Sequence, residues 1–382
     1  MKKKILFVTG TRADFGKLKS IIKLVKSNNK FNVYIAITGM HLLKEYGNTY
    51  IEVEKNFKKN IFKFKNQSIE NNLEIILQNT VQKFSKLVKK IKPDLIVLHG
   101  DRVESLACAL VGSLNHIRTA HIEGGEVSGN IDDTIRHAVT KLCHFHFVGN
   151  KTARLRVISM GEKASCVFQI GSADIDIMLS KNLKSINSVK KYYEISFKNY
   201  AILLWHPVTS ELNKLRSNTN KLIDFVNSSP ENFIVINSNN DPGTKIILNC
   251  YKKNLNKKKN KLFKSIRFEN FLTLLKNAKY ILGNSSTGIY EAPIFGVPAI
   301  NIGSRQYKRS NIRAIKNLEI DDLNNLSINY FIDRYKKTKR KIYGNGKTAE
   351  KFVEVIKRKS FWRISTQKNF SDILRKSKNV KR

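Results

Sequence analysis

Acidic residues are scarce in this chain: 30 Asp and Glu stand against 70 Lys and Arg, a formal net charge of +40. Such an excess invites a nucleic-acid reading, since basic surfaces bind phosphate backbones. The lysines, however, are spread along the whole chain among abundant Asn and Ile, as a genome rich in A and T leaves them. The densest stretch, Lys252 to Lys264, lacks the interleaved aromatics of a base-stacking surface. No nucleic-acid partner is expected, and the charge implies only a positive field that steers anionic substrates into a cleft. Apolar residues make up 41% of the chain without an eighteen-residue apolar run, which excludes wholesale disorder and a membrane-spanning helix. Cys108, Cys143, Cys166 and Cys250 are far apart, with no C-x-x-C pair. Neither disulfides nor a zinc ribbon are expected, and a reduced, cytoplasmic setting is. The basic start Met1-Lys2-Lys3-Lys4 is followed by an apolar segment, Ile5 to Val8, too short for a signal peptide, which reads as a first strand.

A chain of 382 residues is too long for one compact core and suits two α/β domains. Strand patterns and helix patterns alternate from Lys4 to Ile170, the signature of a doubly wound parallel sheet. The alternation restarts at Tyr200, after a polar helical stretch from Lys181 to Ile195. A first Rossmann-like domain is therefore expected over 1–175, a second over 176–360, and a terminal segment over 361–382.

The buried-strand pattern Asp94 to Leu98 runs into His99-Gly100-Asp101-Arg102, and a second, Ile117 to Ile122, ends in Glu123. Open α/β sheets keep their chemistry at such strand ends. From Glu123 to Asp133 the loop holds three glycines and four carboxylates. Crowded carboxylates repel, which raises some of their pKa values. Asp101, Glu123 and Asp132, with Glu126 or Asp133, read as an acid/base set, and Asp132 or Asp133 as the N-cap of a helix over Thr134 to Leu142. After the first strand, Gly10-Thr11-Arg12-Ala13-Asp14-Phe15-Gly16 carries Arg12 where a dinucleotide fingerprint has its second glycine, so Arg12 is suited to meet a phosphate directly. His144 and His146 read as strand residues on one polar face rather than metal ligands. In the second half, His206 follows a strand, with Pro207 placed for a first helical turn. Gly283-Asn284-Ser285-Ser286-Thr287-Gly288 offers hydroxyls and N–H groups to a diphosphate, and Glu291 is placed to accept bonds from ribose hydroxyls.

Eight motifs in order carry a resemblance to a known family. They are Gly10-Thr11-Arg12-Ala13-Asp14, Thr38-Gly39-Met40-His41, His99-Gly100-Asp101-Arg102, His121-Ile122-Glu123-Gly124-Gly125-Glu126, Asp132-Asp133 with Ile135-Arg136-His137, His206-Pro207-Val208-Thr209, Ile266-Arg267-Phe268-Glu269 and Gly283-Asn284-Ser285-Ser286. Over nearly the whole chain the sequence resembles the hydrolysing UDP-N-acetylglucosamine 2-epimerases of bacterial sialic acid and legionaminic acid synthesis. The resemblance implies a glycosyltransferase-B type fold, two Rossmann-like domains facing a cleft. It also implies no dissociable redox cofactor, no essential metal, and a homo-oligomer, dimer or tetramer. In that fold the C-terminal helix, here Trp362 to Leu374, crosses back to the first domain before a basic tail. By position, Asp101, Glu123 and Asp132 match the family's essential acids and His206 its histidine near the phosphate. Arg12, Arg267, Ser285, Ser286 and Glu291 fall in its UDP and substrate site. The implied reaction takes UDP-N-acetylglucosamine and water to N-acetylmannosamine and UDP through 2-acetamidoglucal. Two alternatives stand beside it: hydrolysing epimerisation of UDP-2,4-diacetamido-2,4,6-trideoxyglucose, and the non-hydrolysing epimerase, whose loop carries arginine where this chain has Glu126.

Overall fold

Seven apolar segments form one parallel sheet in the computed structural model: β1 (Lys3–Thr9), β2 (Phe31–Ile37), β3 (Ile61–Lys63), β4 (Leu95–His99), β5 (Arg118–Ile122), β6 (Phe145–Val148) and β7 (Val167–Gln169). A second parallel sheet contains β8 (Ala201–Leu204), β9 (Phe233–Ile236), β10 (Lys261–Phe263), β11 (Ile281–Gly283), β12 (Ala299–Ile302) and β13 (Ile315–Leu318). Residues 2–68, 72–128, 131–179, 183–306, 312–325, 327–336 and 344–369 are described. Every residue of β4, β8, β9 and β12 is buried, because helices cover both faces of each sheet; this is why these strands read as unbroken apolar runs.

Strand order fixes where chemistry can sit. The first sheet runs β3-β2-β1-β4-β5-β6-β7 and the second β10-β9-β8-β11-β12-β13. The direction of winding reverses between β1 and β4, and again between β8 and β11. Each reversal leaves a crevice outside the carboxyl ends of its strands. The glycosyltransferase-B architecture expected of the sequence is thus present: two Rossmann-like halves with their crevices on one cleft.

The return to the first sheet begins earlier than Trp362. Asp176 accepts the N–H groups of Thr348 and Ala349 at 2.9 and 2.8 Å, starting the helix Thr348–Lys357. Phe352 from that helix is fully buried, its ring 4.5 Å from Phe147 and 6.4 Å from Phe7. This helix, counted with the second half in the sequence reading, therefore packs in the first core. A second short helix, Lys359–Arg363, stacks Phe361 on Phe145 at 3.8 Å. It stops at Arg363 because Arg118 takes the carbonyls of Trp362 and Ile364 at 2.8 and 2.9 Å. The expected helix Trp362 to Leu374 is not formed from Ile364 to Asn369. Residues 370–374 and the basic tail lie outside the described residues.

Two other boundaries differ from expectation. Pro207 does not open a helix: a single turn at Thr209–Glu211 precedes the helix Leu215–Ser228. The helix after the acidic loop begins at Ile131, so Asp132 and Asp133 occupy its first turn instead of capping it. Among the described residues no helix is long and apolar enough to cross a membrane.

Phe352→Ala should destabilise the first sheet by about 3 to 5 kcal/mol in urea unfolding, with faster hydrogen exchange in β1 and β6. Unchanged protection there would mean that the returning helix is not part of that core.

Candidate active site

The two crevices open on a single cavity of about 340 Å³. Arg12, Asp101, Glu123, Asp132, His206, Ser285, Ser286 and Glu291 all line it. Arg267 does not. It immediately precedes the helix Phe268–Lys276, whose Phe268 turns inward so closely that a Cβ on Gly16 would lie 2.6 Å from its ring. The Arg267 guanidinium instead covers the Tyr192 ring, 5.4 Å from its centroid.

Glu123 is the most constrained of the acids. Its backbone is left-handed, at φ +67°, while its N–H holds the carbonyl of Phe147 at 3.0 Å. Such a conformation costs a non-glycine residue on the order of 1 to 2 kcal/mol. The result is a carboxylate surrounded by donors: Lys17 Nζ at 3.2 Å, Ser172 Oγ at 3.1 Å and His99 Nε2 at 3.3 Å. Lys17 also meets Asp174 at 3.1 Å, and His99 Nδ1 meets Asp14 at 3.4 Å. Burial alone would raise the Glu123 carboxyl, but Lys17 and His99 outweigh it and hold the group well below the ordinary carboxylate range. Crowding therefore does not raise this pKa, contrary to the expectation from the loop's composition, because Lys17, from the helix after β1, and His99, at the end of β4, fill the space between the acids. Burial also opposes charge on His99, yet Glu123 and Asp14 lift it to about 9. Across the cleft the opposite holds: burial, then the Asp174 carboxylate, push Glu291 up to about 8.

The remaining acids pair with arginines. Asp101 meets Arg136, a buried side chain that also reaches Asp133 Oδ1 at 3.2 Å, and Asp132 meets Arg305 Nη2 at 3.2 Å. Asp133 accepts the Ser128 N–H at 2.8 Å, which pins the loop to the first turn of the helix. Glu126 accepts from Asn150 at 3.0 Å and from the Tyr290 hydroxyl of the second half at 3.1 Å.

On the second half, Gly283 has φ +126°, and a Cβ there would lie 2.0 Å from the carbonyl oxygen of Leu204. Only glycine permits that approach. It brings Asn284 alongside His206, whose N–H and carbonyl it binds at 2.8 Å each. The His206 Nδ1 accepts the Asn239 N–H at 3.2 Å. Burial, with Arg305 and Arg102 nearby, pushes the ring well below its ordinary pKa, so it is neutral with its proton on Nε2. Ser285 and Ser286 follow, but the motif opens a single short turn, Ser286–Gly288, and a helix of one turn, Ala292–Phe295. The helix dipole expected there is correspondingly small. His144 and His146 lie elsewhere, engaged by Thr119 and by Glu162 at 2.9 Å each.

A cavity with acids on one wall and hydroxyls, arginine and neutral histidine on the other suits a phosphorylated substrate that exchanges protons. Comparison with known proteins agrees. The family model described as UDP-N-acetylglucosamine 2-epimerase matches residues 23–357. The chain belongs to this family. It is 41% identical to the UDP-N-acetylglucosamine 2-epimerase of Neisseria meningitidis serogroup B, covering 97% of this chain and 99% of the relative. It is 30% identical to the UDP-N,N'-diacetylbacillosamine 2-epimerase (hydrolyzing) of Legionella pneumophila, covering 94% and 96%. A crystal structure of UDP-GlcNAc 2-epimerase from Neisseria meningitidis, bound to UDP-GlcNAc, shares the fold with a TM-score of 0.77 at 20% identity, over 92% of this chain and 99% of that one.

In this 2-epimerase family member, sequence reasoning did not find Lys17, Asp14, His99, Asp174 or Arg305 as site residues. His99 ends a parallel strand and Asp174 and Arg305 follow others, which was signal enough. Lys17 gave none: a lysine in an amphipathic helix reads as solvated.

The His99 pairing also sets a pH dependence. Its pKa is raised on folding, so its contribution to stability is complete below about pH 6.5 and is lost as pH rises through about 9. Titration by 15N NMR should find the His99 ring charged at pH 7.5, with a midpoint near 9. A midpoint near 6.5 would show that Glu123 and Asp14 do not hold it.

Proposed function

We propose that the chain is a hydrolysing UDP-N-acetylglucosamine 2-epimerase, releasing N-acetylmannosamine and UDP. The observation that carries this reading is the joint lining of one cavity by Asp101, Glu123 and Asp132 and by His206, Ser285 and Ser286. The C2 proton of the sugar is barely acidic, so the C1–O bond to UDP must be largely broken before a base removes it. Departure of the diphosphate is favoured by the His206 Nε2–H, the serine hydroxyls and the Arg305 charge. Glu123, kept ionised by Lys17 and His99, is suited to stabilise the positive charge that develops at C1. Asp101 and Asp132, each beside an arginine, are left to take the C2 proton and to return one from solvent on the other face. Water then adds at C1 of the 2-acetamidoglucal.

Glu126 supports hydrolysis over return of UDP to the intermediate. A cation at this loop position would hold UDP beside the glucal. Here a carboxylate bonded to Tyr290 and Asn150 repels it, so UDP departs. The word hydrolyzing in the name of the Legionella relative points the same way. The greater similarity to the Neisseria protein favours the sugar without a second acetamido group.

The test is to supply both nucleotide sugars in heavy water. Free N-acetylmannosamine carrying deuterium at C2 is expected, with UDP, and Asp101→Asn should slow it at least about a hundredfold. A gluco sugar that keeps its C2 hydrogen would overturn epimerisation, and an epimerised UDP-sugar without free UDP would overturn hydrolysis.

A further inference from the structure

Behind the cavity wall, buried polar side chains close a ring between the two halves. Arg102, next to Asp101, donates from Nη2 to Asn240 Oδ1 at 2.5 Å and from Nη1 to Asp241 Oδ1 at 3.2 Å. The Asn240 amide donates to Gln67 Oε1 at 2.5 Å, and Gln67 donates to Glu104 Oε1 at 2.9 Å. Glu104 returns to Arg102, its Oε2 3.6 Å from Nε. Gln67, Arg102 and Glu104 belong to the first half, Asn240 and Asp241 to the second. Gln67, Glu104 and Asn240 are buried, and neither they nor Asp241 lines the cavity.

The ring is built into its surroundings on both sides. Gly39 has φ +63°, and a Cβ there would lie 2.7 Å from both Glu104 Oε1 and the Gly10 carbonyl oxygen, so a side chain there would displace the Glu104 carboxylate. Asn239, which orients His206 through its N–H, also binds Asp241 Oδ2 at 2.5 Å through its side-chain amide. One side of the ring thus continues into Asp101 and the other into His206. Its bonds between halves exist only when the halves are together. Parting them breaks the Arg102–Asn240, Arg102–Asp241 and Asn240–Gln67 bonds together, so the ring favours two discrete arrangements over a continuum.

We propose that this ring is the latch that sets the closed form of the cleft, with Gln67 and Asn240 as positioning residues that hold Asp101 and His206 on either side of a bound UDP-sugar. The proposal rests on the UDP-sugar reading of the cavity.

Calorimetry with UDP on the full chain tests it, using Gln67→Met, which keeps the shape without the bond, Asn240→Ala, and the two combined. A less populated closed form should weaken UDP binding about tenfold in each single variant. The combined variant should lose less than the sum of the two single losses, since both changes break the Asn240–Gln67 bond. X-ray scattering should show wild type contracting with UDP and Asn240→Ala contracting less. Equal UDP affinity in all four proteins, additive losses, or equal contraction would overturn the latch. Failure of wild type to bind UDP would remove the reading beneath it, and the latch with it.

Discussion

One ammonium group holds the site together. Lys17 projects from the helix after β1 into the space between Glu123, after β5, and Asp174, after β7, and its pKa is raised well above the ordinary lysine value despite burial. Taking a carboxylate out of water is costly, and the cost is offset only where the geometry supplies a cation and further donors. Lys17, His99 and Ser172 supply them to Glu123. In return the carboxylates keep Lys17 and His99 charged despite their burial. These contacts converge on the Glu123 carboxylate and offset the cost of a left-handed glutamate at this position.

The parallel sheets make that meeting possible. Strands aligned in one direction release their following residues at one edge, so Asp14, His99, Asp101, Glu123 and Asp174 converge though they are distant in the chain. The second sheet does the same for His206, Asn284 and Arg305. Phe352 and Phe361, returning to the first sheet, fill the core beneath β1 and β6 and tie the far end of the chain to the half that holds the acids. The two edges then need only face each other, and the contacts of Arg305 with Asp132 and of Tyr290 with Glu126 cross between them.

The architecture was legible because buried parallel strands leave unbroken apolar runs ending in glycine and charge, and most site residues were legible because they follow those runs. What was hidden depended on partners far apart in sequence. The low pKa of Glu123 comes from Lys17 and His99, neither of which the loop's composition reveals. Arg267 sits in a matching motif, but the inward packing of Phe268 sends its guanidinium to Tyr192. The end of the returning helix at Arg363 is set by Arg118, which no local pattern after Trp362 announces. Pro207 signalled a helix start by local preference, while the bonds of Asn284 to His206 hold that exit in another conformation.

A crystal structure of the full chain with UDP bound tests most directly whether Lys17 serves Glu123 or the nucleotide. The diphosphate is expected against His206, Ser285 and Ser286 with the ribose hydroxyls at Glu291, while Lys17 keeps its contacts with Glu123 and Asp174. Lys17 swung onto the diphosphate with Glu123 left unpaired, or UDP seated away from His206, would contradict that arrangement.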